Sequence, residues 1–268
     1  MHDHFHHGNH VISTLSQFLL ALPFLLGLMV YLLAVVFSNR KYKKWPVYRT
    51  ICWVVGITLV LFTVAGPLAE QAHTDFTIHM LGHLFLGMLG PLIMVLAAPM
   101  TLFMRILPVI IARRVSRLLK HAFFRVVTDP IVASLLNVGG LWILYTTDLY
   151  SAMHHSFILH VLVHMHVFLA GYLFTISMIN VDLIPHRTSY VYRSIVLVLA
   201  IAAHGILSKF IYANPPTGVS PSQAELGGML MYYGGDVIDI IIIFILCSQW
   251  YRDSRPKMVR GYHHYSLR

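Results

Sequence analysis

Long apolar runs separated by short polar connections dominate the chain. A helix needs roughly 20 apolar residues to cross about 30 Å of hydrocarbon. Windows of that kind fall near 12 to 37, 50 to 69, 76 to 97, 130 to 147, 155 to 178, 190 to 212 and 227 to 250. They predict an all-α polytopic membrane protein with seven transmembrane helices in the region 12–250, preceded by a short arm, 1–11, and followed by a basic tail, 251–268. The stretch after the third window has a different pattern. Arg113, Arg117, Lys120 and His121 recur at helical spacing opposite Ile110, Val115, Leu118, Leu119, Ala122 and Phe123. This predicts a basic amphipathic helix within 100–129 lying on the membrane surface, broken from the third span by Pro99 and bent at Pro108.

Composition agrees with the pattern: 57% of the 268 residues are hydrophobic, 11% are charged, and mean hydropathy is +0.72. A soluble enzyme or a soluble binding module does not have this balance. Positive charge then orients the chain, because cytoplasmic connections retain Lys and Arg during insertion. Arg40, Lys41, Lys43, Lys44 and Arg49 follow the first span. Arg105, Arg113, Arg114, Arg117, Lys120 and Arg125 follow the third, Arg187 and Arg193 the fifth, and Arg252, Arg255, Lys257, Arg260 and Arg268 the seventh. Eighteen of the nineteen cations therefore fall on one side, with only Lys209 near the other, where Glu70, Asp75, Asp148 and Glu225 lie. The amino terminus is expected outside and the carboxyl terminus in the cytoplasm of a bacterial plasma membrane. The formal charge of +9 reads as topology and contact with the anionic lipid bilayer, not as a nucleic-acid surface. No Lys or Arg precedes the first apolar run, so it reads as a retained helix rather than a cleaved leader. Cys52 and Cys247 both map to cytoplasmic span ends outside any CxxC motif, so no disulfide is expected.

Chemistry enters with two histidine pairs: His79-Met80-Leu81-Gly82-His83 in the third window and His160-Val161-Leu162-Val163-His164 in the fifth. Residues at i and i+4 project from one helix face and can share a ligand. Such groups are costly in hydrocarbon, which makes them candidates for function. Both spans descend from the outside, so the pairs lie in the outer part of the membrane. His204 on the ascending sixth span and Asp236 and Asp239 on the seventh lie at comparable depth. His79, His83, His160 and His164 are the expected metal ligands, with His204, Asp236 and Asp239 completing or orienting the site. Neutral imidazole with a carboxylate suits copper first, with zinc and iron ranking behind it.

The arm adds His2, His4, His6, His7 and His10, a tract that binds such metals loosely and could collect them above the pocket; His154 and His155 extend the same path. Most of the thirteen methionines read as packing or lipid-facing residues. On residues alone, three classes share this pattern: a copper carrier, a di-iron hydroxylase-like membrane enzyme with histidine boxes, and a b-type cytochrome with a single haem. The outer position of the pairs counts against cytoplasmically driven oxidation, and no HExxH supplies a zincin base.

The segment His79-Met80-Leu81-Gly82-His83-Leu84, followed by Gly90-Pro91-Leu92 and Ala97-Ala98-Pro99, resembles the third-span signature of the CtaG-like cytochrome c oxidase assembly factors of Gram-positive bacteria. The His160 to Gly171 helix is similar to that family's second histidine element, and Ser220-Pro221 through Gly228-Met229-Leu230-Met231-Tyr232 to the segment leading into its last span. The resemblance covers about 50 to 250. It implies a seven-span, non-enzymatic, copper-handling assembly factor that helps mature the copper centres of a haem-copper oxidase. Its implied partners are cytochrome c oxidase subunits and extracytoplasmic copper chaperones.

Overall fold

The computed structural model describes residues 3–183 and 186–255, with side chains described at Leu15 and from Gln17 onward. The side chains of the His-rich arm and the tail residues 256–268 lie outside the described residues. Everything described is helix or connection: six helices are long and apolar enough to cross a membrane, and a bent pair makes a seventh if it counts as one span.

The first two, α1 (Asp3–Lys41) and α2 (Val47–Val64), pack together. Their contact is pinned by Tyr31, which stacks on Trp53 at 4.7 Å and whose hydroxyl accepts from Trp45 Nε1 and donates to the Ala97 carbonyl, both at 3.1 Å. The second span was expected to reach 69 but ends at Val64. Gly66 takes a φ of 87° and Pro67 starts the short helix α3 (Pro67–Gln71), so the apolar run turns a corner that a hydropathy window cannot register.

The third span is α4 (Phe76–Leu84), a π turn (Phe85–Leu89) and α5 (Gly90–Leu96). Pro91 has no N–H to give the Gly87 carbonyl. That oxygen instead meets Gly171 so closely that a Cβ there would overlap it. Small residues let helix backbones approach in lipid, and the pair holds the third and fifth spans together.

Beyond the break, Ala98 adopts φ 49°, and the buried carboxylate of Asp182 caps α6 (Pro99–Ile106) from a distant loop. It accepts from the backbone N–H of Met100 at 2.7 Å and of Thr101 at 2.8 Å, and from the Thr101 hydroxyl at 2.6 Å. After the bend at Pro108 comes α7 (Val109–Leu119), with no buried residue and with Val109, Ile110 and Leu118 strongly exposed. It stops one turn earlier than its pattern suggested. His121 leaves the basic stripe, and its Nδ1 accepts from Phe123 N–H to start α8 (Ala122–Val127).

The fourth span comprises α9 (Pro130–Ser134), a second π turn (Leu135–Gly139) and α10 (Gly140–Thr146). His166 caps the disturbed ladder here, its Nε2 lying 3.1 Å from the Leu136 carbonyl. The chain then swings by 79° into α11 (Leu149–His155), which does not continue the direction of the fourth span. The last three, α12 (Phe157–Met178), α13 (Tyr190–Ala213) and α14 (Pro221–Ser254), match the expected windows to within a few residues except that α14 extends further at both ends. α14 packs against α13 and α4, and α12 against the first π turn. Outward faces carry apolar residues such as Val198, Leu199 and Phe244, each more than 60% exposed, as expected where lipid is the solvent.

Candidate metal-binding site

Asp75 fixes the start of α4: its carboxylate accepts from Thr77 N–H at 2.7 Å and Ile78 N–H at 3.3 Å. One turn on, His79 and His83 project from one face into the interior, 9% and 5% exposed. Ser156 starts α12 in the same way, accepting from Leu159 N–H, and places His164 on a face directed at α4, one turn beyond His160.

His79, His83 and His164 line one small cavity with Tyr145 and Thr63, closed by Leu86, Leu144, Val163 and Val167. Its free space is about 30 Å³, room for one or two waters. The ring nitrogens around it are not equivalent. His164 Nδ1 lies 2.9 Å from the His160 carbonyl, so this nitrogen carries the hydrogen and Nε2 is left with its lone pair. His79 Nε2 is 3.1 Å from the Tyr145 hydroxyl. Both nitrogens of His83 are buried with no hydrogen-bond partner among the described residues, and so is Nε2 of His204, whose ring lies 6.2 Å from that of His83. Leaving a buried polar group unpaired costs about 1–3 kcal/mol.

Glycines make room for both rings. A Cβ at Gly87 would lie 3.3 Å from His83 Cε1, and one at Gly235 only 2.7 Å from His204 Cε1. A second, smaller cavity of about 10 Å³ lies beyond His204 and is lined by Asp239, Asn137 and Met88 among others.

The expected single layer is thus divided. His79, His83 and His164 share one cavity, His204 bridges towards a second with Asp239, and Asp236, half-buried, lines neither. His160 stands one turn along α12 from the first cavity, its ring 4.1 Å from that of His164. Among the described residues no three His, Cys, Asp or Glu side chains already converge on one point as a closed metal cage. The donors suit a metal all the same: imidazoles with free or unpartnered nitrogens beside a cavity walled largely by apolar side chains.

Two groups at this site have no signal in the pattern of the chain. Tyr145 fixes His79, and His73, from the turn between α3 and α4, stacks on His160. His73 keeps one edge in solvent while packing desolvates its ring, and this lowers its pKa below the ordinary imidazole value against a weaker opposing pull from Glu70. A histidine in a polar turn gives no periodicity to read.

A family model described as the cytochrome c oxidase caa3 assembly factor matches residues 29–253. Among curated proteins, the chain is 27% identical over 246 residues to uncharacterized proteins of Mycobacterium bovis and Mycobacterium tuberculosis, which covers 81% of this chain and 36% of each relative. It is 25% identical over 255 residues to one of Mycobacterium leprae, covering 87% of this chain and 39% of the relative. The chain therefore spans little more than a third of the length of these relatives. No solved structure matches it. With most of its length inside the family match, the chain belongs to the cytochrome c oxidase caa3 assembly factor family.

Proposed function

We propose that this family member is a copper-handling membrane protein that holds copper in the His79, His83 and His164 cavity and passes it to a subunit of a haem-copper oxidase. The observation that carries the reading is His83: two buried ring nitrogens without partners, beside a cavity whose other polar walls are imidazoles and a tyrosine. An ion that occupies the site for part of the cycle would offset the cost of such a group. Copper fits the donors as cargo. Neutral imidazole binds either oxidation state, and the incomplete cage allows exchange, which a closed four-ligand site would resist.

Apolar walls from Leu86, Leu144, Val163 and Val167 keep bulk water from competing for the ion. His204 and Asp239 offer a second station deeper among the helices, and His160 an outer one. The distribution of Lys and Arg supports placing the histidine end of the bundle on the outer face of the plasma membrane, where extracytoplasmic chaperones would supply copper. Delivery needs ligand exchange only, and no catalytic turnover.

The test is copper content of the purified full-length chain against the His83→Ala/His164→Ala double variant, with zinc and iron measured in parallel. His2, His4, His6, His7 and His10 are replaced by Asn in both, so that the arm does not mask the cavity. The reading predicts copper in the parent and its loss in the variant. Equal copper in both contradicts it, and iron with oxygen consumption favours an oxidase-type enzyme.

A further inference from the structure

Lys209 stands apart from the other Lys and Arg residues of the chain. It is the only one between Arg193 and Arg252, a stretch that takes in all of α13 beyond its first turn and almost all of α14. It lies four residues before the end of α13, about 6 Å along the axis from the helix terminus. Beside it, between α13 and α14, runs a groove with about 290 Å³ of free space. Ser208, Lys209 and Tyr212 of α13 line it together with Gly228, Tyr232 and Tyr233 of α14. At Gly228 a Cβ would lie 2.9 Å from the Ser208 carbonyl oxygen and 3.1 Å from Tyr212 Cβ, so the two helices touch at that point.

A lysine this close to a span end ordinarily stretches its stem so that the ammonium reaches water. Lys209 instead lies over the groove wall, its Nζ 5.0 Å from the centroid of the Tyr232 ring. No Asp or Glu lines the groove, and its other polar walls are a serine and three tyrosines, whose hydroxyls can donate. A cation with hydroxyl donors and no competing carboxylate is a donor set suited to a phosphate. Two exposed apolar stripes lead from the groove towards the middle of the membrane. Ile206, Ala202 and Val198 follow Lys209 down α13, and Val237 and Ile240 follow Tyr233 down α14, each set at helical spacing. Acyl chains need such tracks, and a soluble anion does not.

We propose that this groove binds the phosphate headgroup of an anionic phospholipid, with the acyl chains lying along the two stripes. The site is independent of the copper reading. In the orientation proposed above, the lipid belongs to the outer leaflet.

The experiment measures lipid retained on the purified full chain by native mass spectrometry, with dioleoylphosphatidylglycerol or dioleoylphosphatidylcholine added to the detergent at equal concentration. The parent should retain phosphatidylglycerol in preference. Lys209→Gln should weaken that binding about fivefold, the loss of one lysine's contact with anionic lipid, and Lys209→Arg should restore it. The same step should appear when Lys209→Gln is introduced into an Arg113→Gln/Arg117→Gln background, which removes charge from the exposed helix α7 and so controls for general attraction. Lys209 is exposed, so its replacement leaves the fold intact, which a thermal melt checks. Millimolar inorganic phosphate should not displace the lipid. Equal retention of both lipids by the parent, unchanged phosphatidylglycerol binding in Lys209→Gln, or displacement by inorganic phosphate would each overturn the lipid site.

Discussion

Replacing His83 by Leu should stabilise the metal-free protein and abolish its copper response. Leu is close to His in volume, so the packing against Gly87 and Val167 changes little, and swaps of this kind usually cost less than about 1.5 kcal/mol. Against that stands the removal of one donor and one acceptor, both buried and unpaired, each costing about 1–3 kcal/mol in the parent. The balance of these contributions is a gain of roughly 0.5–4.5 kcal/mol, which moves the melting midpoint of a protein this size up by a degree or more. The assay is thermal unfolding in detergent micelles, with a strong chelator and then with copper(I). Ligand at a hundredfold excess over its dissociation constant stabilises by about 2.7 kcal/mol, so copper should raise the midpoint of the parent and leave the variant unmoved. A metal-free variant less stable than the parent by more than about 1 kcal/mol would refute the reasoning, because His83 would then have a structural partner. A copper-induced rise of equal size in both proteins would refute its second half.

Three further outcomes follow from individual contacts. Gly235→Ala pushes a Cβ to 2.7 Å from His204 Cε1 and should cost about 1–3 kcal/mol; repeated in a His204→Ala background the cost should largely vanish, which a double-mutant cycle of melting midpoints reads directly. Asp182→Ala removes the acceptor for two α6 backbone N–H groups and the Thr101 hydroxyl and should lower unfolding stability by about 1–3 kcal/mol while leaving copper affinity unchanged in chelator competition. Tyr145→Phe takes the hydroxyl from His79 Nε2 and should alter copper affinity by about tenfold while lowering stability of the metal-free protein by about 1–3 kcal/mol; an unchanged affinity would exclude His79 from the ligand set.

Much of the bundle is legible from hydropathy because lipid imposes a length and a composition on each span. The windows find α12 and α13 almost to the residue, and the break at Pro99 and the bend at Pro108 follow from proline geometry. Backbone events inside apolar runs are invisible to the same reasoning. The π turns at Phe85–Leu89 and Leu135–Gly139 shift the helical register without changing composition, and the swing after Thr146 falls where the fourth window ends but its 79° angle leaves no trace in hydropathy. The site divides along the same line. Spacing of four puts His79 with His83 on one face, whereas spacing of three leaves Asp236 and Asp239 about 60° apart on a helix, so only Asp239 reaches a cavity. His73 depends on tertiary contact alone.

The central claim is that His83 and His164 bind copper inside the bundle. X-ray absorption at the copper edge tests it most directly, on the full chain loaded with copper(I) after replacement of the five arm histidines and compared with the same chain carrying His83→Leu and His164→Leu. Imidazole nitrogen scattering at about 2.0 Å is expected in the parent, with the nitrogen count falling in the variant. A parent spectrum dominated by sulfur, or nitrogen coordination unchanged by the double substitution, would contradict it.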